Sequence, residues 1–232
     1  MKSVLCLIPA RSGSKGLKNK NIKLLNKVPL LIYPYKIAKN SKFITDIAVS
    51  SDSRKYLKFF RGNNVIKILR PKKLSTSKTS VVDVIFHALS QLKKKYQYLV
   101  LLEPTSPLTS SKELDHAFKF IIRNNDKVHS LLSVVSNSKF YNVFRANFNK
   151  NFKLVKKLNI KYFNRQSFPS KEFFFSGNFY ISKISYLKKT KSFIGKKTYC
   201  YPIKKSIHTD IDNIYDFVFA ETLLKKGLFK IN

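Results

Sequence analysis

Two stretches at opposite ends of the chain carry residue types suited to a polyphosphate. The first, "IPARSGSKGLKNKNI" (residues 8–22), leaves an apolar run and enters glycines and cations. Gly13 and Gly16 permit a tight turn and close backbone approach to an anion. Arg11, Lys15, Lys18 and Lys20 supply positive charge around that turn. Arginine is scarce here and Arg11 directly follows the apolar run, where a planar guanidinium suits a phosphate fork better than an ammonium does. The second stretch, "HTDIDNIYD", holds Asp210 and Asp212 two residues apart. In an extended segment both carboxylates face the same side, and they repel unless a cation or proton joins them. Hard oxygen ligands at this spacing suit Mg²⁺, which commonly takes one or two carboxylates plus substrate phosphates. The simpler alternative is that Asp212 or Asn213 caps the last helix and Asp210 bonds a lysine.

The loop matches neither G-x-G-x-x-G nor G-x-x-x-x-G-K-[ST], which disfavours a dinucleotide dehydrogenase and a P-loop ATPase. Composition narrows the reading further. The 232 residues are 44% hydrophobic, enough for one sizeable core. Lys and Arg number 46 against 12 Asp and Glu, a formal charge of +34. Lysine, asparagine, isoleucine, phenylalanine and tyrosine share A/T-rich codons, and the lysines are spread evenly. Compositional drift explains this better than a nucleic-acid partner, because net charge speaks to solubility and non-specific binding. Cys6 and Cys200 form no framework and no C-x-x-C zinc pattern. Without a convincing signal peptide or a membrane-length apolar run, a reduced cytoplasmic location is expected.

The elements that must position these residues alternate between strand and helix. Strands are expected at 4–10, 46–53, 65–69, 98–104, 130–136, 178–182 and 198–203. Helices are expected at 29–40, starting at proline; 80–96, with Val81, Ile85, Ala88, Leu89 and Leu92 on one face; 110–125, capped by serine; and 213–227, ended by Gly227. Cys6 belongs to a strand core, and His87, His116 and His208 read as packing or surface groups, with His208 also able to orient a carboxylate. The Phe173–Phe175 run reads as core packing, with a sugar pocket or dimer interface as alternatives. Such alternation implies a three-layer α/β domain, in which ligands bind beyond the carboxyl ends of the strands. That groups 9–21, 50–53 and 103–109 into one site.

Taken in order, "IPARSGSKGLKNKNI", "IAVSSDS", "LRP", "LLEPTSPL", "NRQ", "SGNFYI" and "DIDNIYD" closely resemble the motifs of the acylneuraminate cytidylyltransferases, the CMP-sialic acid synthetases. The resemblance spans nearly the whole chain, with weak matching at 137–163 and 183–200. It implies a Rossmann-like nucleotidyltransferase fold with a mostly parallel central sheet. Residues 1–232 would form a single domain, with 137–177 as an extended lobe or dimerisation insert. The implied reaction joins CTP to an acidic keto-sugar of the nonulosonic type and releases pyrophosphate, with Mg²⁺ or Mn²⁺ as cofactor, in a homodimer with no specific nucleic acid and no membrane partner. On the family's motifs, Arg11, Gly13, Ser14, Lys15, Lys20, Asn21, Ser51, Asp52, Arg70 and Ser80 fall on the nucleotide side. Asp210 and Asp212 match the metal carboxylates and, with Arg11 and Lys20, the catalytic group. Glu103, Thr105, Arg165 and Tyr180 fall on the sugar side.

The chain departs from the family's pattern at several points. Glu103 stands where many relatives have glutamine, so an ionised acceptor replaces a donor. This favours a legionaminic- or pseudaminic-type sugar over N-acetylneuraminate, unless Glu103 turns aside to a lysine. Thr109 follows "PTSPL" in place of arginine, Ser77 and Lys78 replace Asp-Thr, and Ser176 replaces asparagine. Transfer to Kdo or its amino analogue is the near alternative. A non-catalytic, basic nucleic-acid-binding protein is the alternative of another class.

Overall fold

The computed structural model describes residues 2–14, 16–60, 65–136 and 173–230. Its strands are β1 (Val4–Pro9), β2 (Leu24–Leu25), β3 (Val28–Pro29), β4 (Asp46–Ser51), β5 (Ile66–Leu69), β6 (Tyr98–Leu101), β7 (Ser130–Ser136), β8 (Phe173–Lys183) and β9 (Thr198–Pro202). Its α-helices are α1 (Ile32–Asn40), α2 (Arg54–Leu57), α3 (Val81–Ser90), α4 (Ser111–Arg123), α5 (Ile184–Thr190) and α6 (Ile214–Lys225).

One seven-stranded sheet runs in the order β5-β4-β1-β6-β8-β7-β9. The first four strands are parallel, β8 lies antiparallel to both neighbours, and β9 is parallel to β7. The family of α/β folds expected from the alternation is therefore present, with one reversed strand. Burial on both faces explains the unbroken apolar run of β1. Val4, Cys6 and Ile8 pack on the side of α1, α2 and α4, while Leu5 and Leu7 pack against α3 and α5. A third cluster ties the β2–β3 hairpin and α6 to Leu108 and Ile211.

The chain order along the sheet reverses at β1. From it the fold winds one way to β4 and β5, then crosses back to β6 on the other side. Such a switch point opens a crevice at the carboxyl ends of the two central strands. Pairing of Leu7 with Leu101 and Pro9 with Ser50 sets the ends of β1, β4 and β6 level there.

Several boundaries differ from the sequence expectation. Pro29 belongs to β3, and α1 begins at Ile32 with Pro34 in its first turn. Pro34 is tolerated because the first helical N–H groups have no intrahelical acceptor. Helix α3 ends at Ser90, so the lysines at 93–95 lie outside it; Tyr96 must turn into the core before β6 starts. Phe173 and Phe175 are 49% and 53% exposed on the opening of β8, not core residues. The short α2, α5 and the β2–β3 hairpin carried too little periodicity to be read from sequence. The proposed insert at 137–177 lies outside the described residues except for its last five, which open β8.

Candidate active site

The loop after β1 is fixed from behind before it meets any ligand. Asp52, just past the end of β4, accepts from the Ser12 N–H at 2.8 Å and the Ser12 hydroxyl at 2.6 Å. Burial opposes ionisation of Asp52, but these two hydrogen bonds and the charge of Arg70 outweigh it and hold the carboxyl below its usual range. Asn21 is buried and donates its amide to the Arg11 carbonyl at 2.9 Å. Its own carbonyl accepts from the Leu31 N–H at 2.8 Å, which anchors the loop to the entry of α1. The Arg11 guanidinium donates to Gly13 O at 2.8 Å.

The two ends of the sequence meet here. Lys20 forms an ion pair with Asp212 at 2.9 Å and also donates to the Ile211 carbonyl. Gly16 lies against the same segment, and a Cβ there would collide with the Asp212 carbonyl oxygen. The glycine is thus required by close approach. Asp212 is held from the other side by α6: its N–H donates to Asp216 Oδ2 at 2.9 Å. Asn213 and Asp216 close a capping box at the start of that helix. The capping alternative is realised at Asn213, whereas the lysine pairs with Asp212 and not with Asp210 among the described residues, and Asp212 lines the crevice.

The segment carrying Asp210 and Asp212 is braced against the "PTSPL" loop. Ile211 N–H donates to Thr105 O, and Ile207 N–H donates to Leu108 O. Asn178 donates to Thr109 Oγ1 at 3.0 Å and to Ile207 O at 3.2 Å, and His208 bonds Ser176 O through Nδ1. Gly177, at φ +69°, lies where the pairing of β7 with β8 shifts register. Thr109 is therefore buried scaffolding. His208 ties its segment to β8.

Between the loop, the end of β6 and this segment lies a cavity of about 490 Å³. Arg11, Ser14, Gly16, Lys20, Asn21 and Arg70 line its cationic side, and Glu103, Thr105, Asp210 and Asp212 its acidic side. Of the residues expected from sequence, these are the ones brought together. Gly13 is exposed beside the crevice. Ser51 and Asp52 sit behind it, with Ser51 Oγ accepting from Ser53 N. Ser80 caps α3 by accepting from the Val82 N–H, and its neighbours Thr79 and Val81 line the wall instead. Tyr180 stands on β8 beside Glu103 and Asp210 without lining the cavity; burial first, then those two carboxylates, push its phenol up to about 12. Lys15 and Arg165 lie outside the described residues. Sequence reasoning missed Leu74, Thr76, Ser77 and Thr79 as lining residues. The signal was present: a polar run between an apolar strand and an amphipathic helix, at a strand's carboxyl end.

Charge inside the cavity is unevenly satisfied. Arg70 is 4% exposed, and burial, with Arg11 nearby, lowers its pKa despite support from Asp52. Glu103 is pushed up to about 7, by burial first and then by Asp210 and Asp212, against the pull of Lys20. Asp210 and Asp212 fit a divalent cation in one respect: oxygen donors flank an open cavity. Among the described residues no group of three or more His, Cys, Asp or Glu could hold a metal. A cation there would draw its remaining ligands from water and substrate phosphates, as Mg²⁺ commonly does.

An open α/β sheet with a cation-rich loop at its switch point, facing a carboxylate pair, defines a nucleotide-handling protein of the nucleotidyltransferase class. The chain belongs to the cytidylyltransferase family, whose model matches residues 5–227. It is 30% identical to the post-translational flagellin modification protein B of Campylobacter coli, over 97% of each chain. It is 30% identical to the CMP-N,N'-diacetyllegionaminic acid synthase of Campylobacter jejuni, over 97% of this chain and 96% of that one. It is 32% identical to the N-acylneuraminate cytidylyltransferase of Escherichia coli O18:K1:H7, over 96% of its own length. The chain spans about half the length of that relative and of the streptococcal ones. A solved CMP-2-keto-3-deoxy-manno-octonic acid synthetase complexed with CTP shares the fold, with a TM-score of 0.65 at 12% identity over 97% of this chain and all of that one. No helix among the described residues is long and apolar enough to cross a membrane.

Proposed function

We propose that the protein joins CTP to a nonulosonic acid, giving a CMP-sugar and pyrophosphate for cell-surface glycan synthesis. One observation carries this reading: Arg11, Lys20 and Arg70 face Asp210, Asp212 and Glu103 across a single cavity at the switch point. Transfer of a nucleotidyl group needs positioning and charge neutralisation more than covalent chemistry by the protein. The sugar's anomeric oxygen forms a bond to the α-phosphorus, and the bond from that phosphorus to the β-phosphate bridging oxygen breaks. Arg11 and Lys20 bind the triphosphate and neutralise the charge gathering on pyrophosphate, with Arg70 on the nucleotide side. Ser14 and Asn21 hold the loop's shape around it. Asp210 and Asp212 hold a divalent cation, Mg²⁺ or Mn²⁺, which when bound withdraws charge from the phosphates and lowers the pKa of the attacking hydroxyl. Thr105, Glu103 and Tyr180 belong to the sugar side, with Arg165 assigned there by its motif.

From the same resemblance we infer a homodimer that uses residues 137–177, and from the sequence a cytoplasmic protein with no specific nucleic-acid or membrane partner. Two free cysteines support a reducing compartment. Transfer to an eight-carbon acid such as Kdo draws only on likeness of fold. Purified protein with CTP, Mg²⁺ and a panel of eight- and nine-carbon keto-sugar acids is expected to release pyrophosphate with a nine-carbon acid. Absence of pyrophosphate with every sugar removes the enzyme reading and leaves a basic, non-catalytic protein.

A further inference from the structure

Glu103 is the acidic lining residue that the phosphate and metal roles do not use. It follows the carboxyl end of β6, held by the backbone bond from Ser106 N–H to its own carbonyl. Its carboxylate faces the cavity beside Asp210, yet among the described residues no hydrogen bond to that carboxylate is formed. Lys20, whose charge pulls the Glu103 pKa down, is committed to Asp212 and the Ile211 carbonyl. The alternative that Glu103 turns aside to a lysine is not realised, since the three ion pairs of the described residues involve Asp212, Asp46 and Glu221.

A partly buried carboxylate without a donor is costly, and a ligand that supplies one recovers that cost. A cationic donor beside Glu103 holds its carboxyl ionised, and an ionised carboxylate only accepts, so the ligand atom it favours carries both hydrogen and positive charge. Glu103 is not one of the carboxylates assigned to the cation, so the sugar's own carboxylate is repelled from it and points away. Donors that carry positive charge make hydrogen bonds roughly twice as strong as neutral ones.

Resting on the nucleotide-sugar reading above, we infer that Glu103 selects a nonulosonic acid bearing a basic nitrogen, a free amine or an amidine, on the edge that faces β6. Amide-bearing and hydroxyl-bearing analogues offer only neutral donors at that position. A site with a committed acceptor rejects analogues that cannot satisfy it by a larger factor than apolar pockets achieve.

The test uses the full-length protein with CTP, Mg²⁺ and matched nine-carbon keto-sugar acids carrying an amine, an acetamido or a hydroxyl group at C5 or C7. Wild type is expected to prefer the amine at one of these carbons by at least tenfold in kcat/KM. Glu103→Gln, nearly identical in shape, is expected to lose that preference while its KM for CTP is unchanged. CTP binding by calorimetry checks that the variant is folded; if it is not, Glu103→Asp replaces it and is expected to keep the preference at reduced kcat/KM. Equal use of amine and acetamido sugars by wild type, or an unchanged ratio in Glu103→Gln, overturns the inference but leaves the transferase intact. No pyrophosphate from any sugar overturns both.

Discussion

At the scale of single residues, the site is a set of charges that answer one another across the crevice. Lys20 settles Asp212, Arg70 supports Asp52, and Glu103 is left without a donor. Glu103 should leave a mark on stability as well as on specificity. Its folded pKa, about 7, lies above the ordinary value of 4.5. The folded state therefore binds more protons than the unfolded one between these values. The contribution is fully present below pH 4.5 and is lost as pH rises through 7. In metal-free protein, Glu103→Gln removes this dependence. Its melting temperature should approach or exceed that of wild type as pH rises from 5 to 8, a relative gain of about 2 kcal/mol. Parallel melting curves for the two proteins across that range would disprove the placement of this carboxyl.

At the scale of elements, the site depends on how loops are tied at their ends. Helix α6 illustrates this. Its capping box places Asn213 and Asp216 directly behind Asp212, so the helix start also fixes a carboxylate of the cavity. Asn213→Ala should cost about 1 kcal/mol of stability, as loss of an N-cap does. Because Asp212 is then less well held, the Mg²⁺ concentration needed for half-maximal turnover should rise several-fold, which a metal titration measures. The helix, its closing Gly227 and Asn213 as one of two candidate caps were legible in the sequence, since capping chemistry is local. The bracing of the same segment by Asn178, Thr109 and Thr105 was not, because those contacts join residues up to about a hundred positions apart. Thr109 showed in the sequence only as a departure from the family's arginine.

At the scale of the whole molecule, a two-faced core stabilises the sheet that carries every site element. Cys6 lies at its centre, fully buried, and burial pushes its thiol far above the ordinary value, whereas Cys200 is exposed on β9. A thiol reagent at pH 8 should therefore titrate one cysteine in the native protein and two in denaturant. Two reactive thiols in native protein would mean that β1 is not the buried centre of the sheet. The charge of +34 lies on this scale too. It bears on solubility and long-range attraction of anions, and the site uses only a few of those cations.

The sequence by itself determined the alternation of strands and helices, the serine cap of α4, and the cation-rich and acidic ends of the site. Each of these rests on neighbours a few residues apart or on apolar periodicity, which a linear string records directly. Only the tertiary structure decided that Lys20 meets Asp212, that Gly16 is required by the Asp212 carbonyl, and that β8 runs against its neighbours. It also separated Arg70, Glu103 and Thr105, which face the cavity, from Ser51, Asp52 and Ser80, which hold its walls. The reason is physical. Side-chain direction and long-range pairing are set by the packing of the two faces of the sheet, and nothing local to Asp52 or Glu103 distinguishes a carboxylate that braces a loop from one that awaits a ligand.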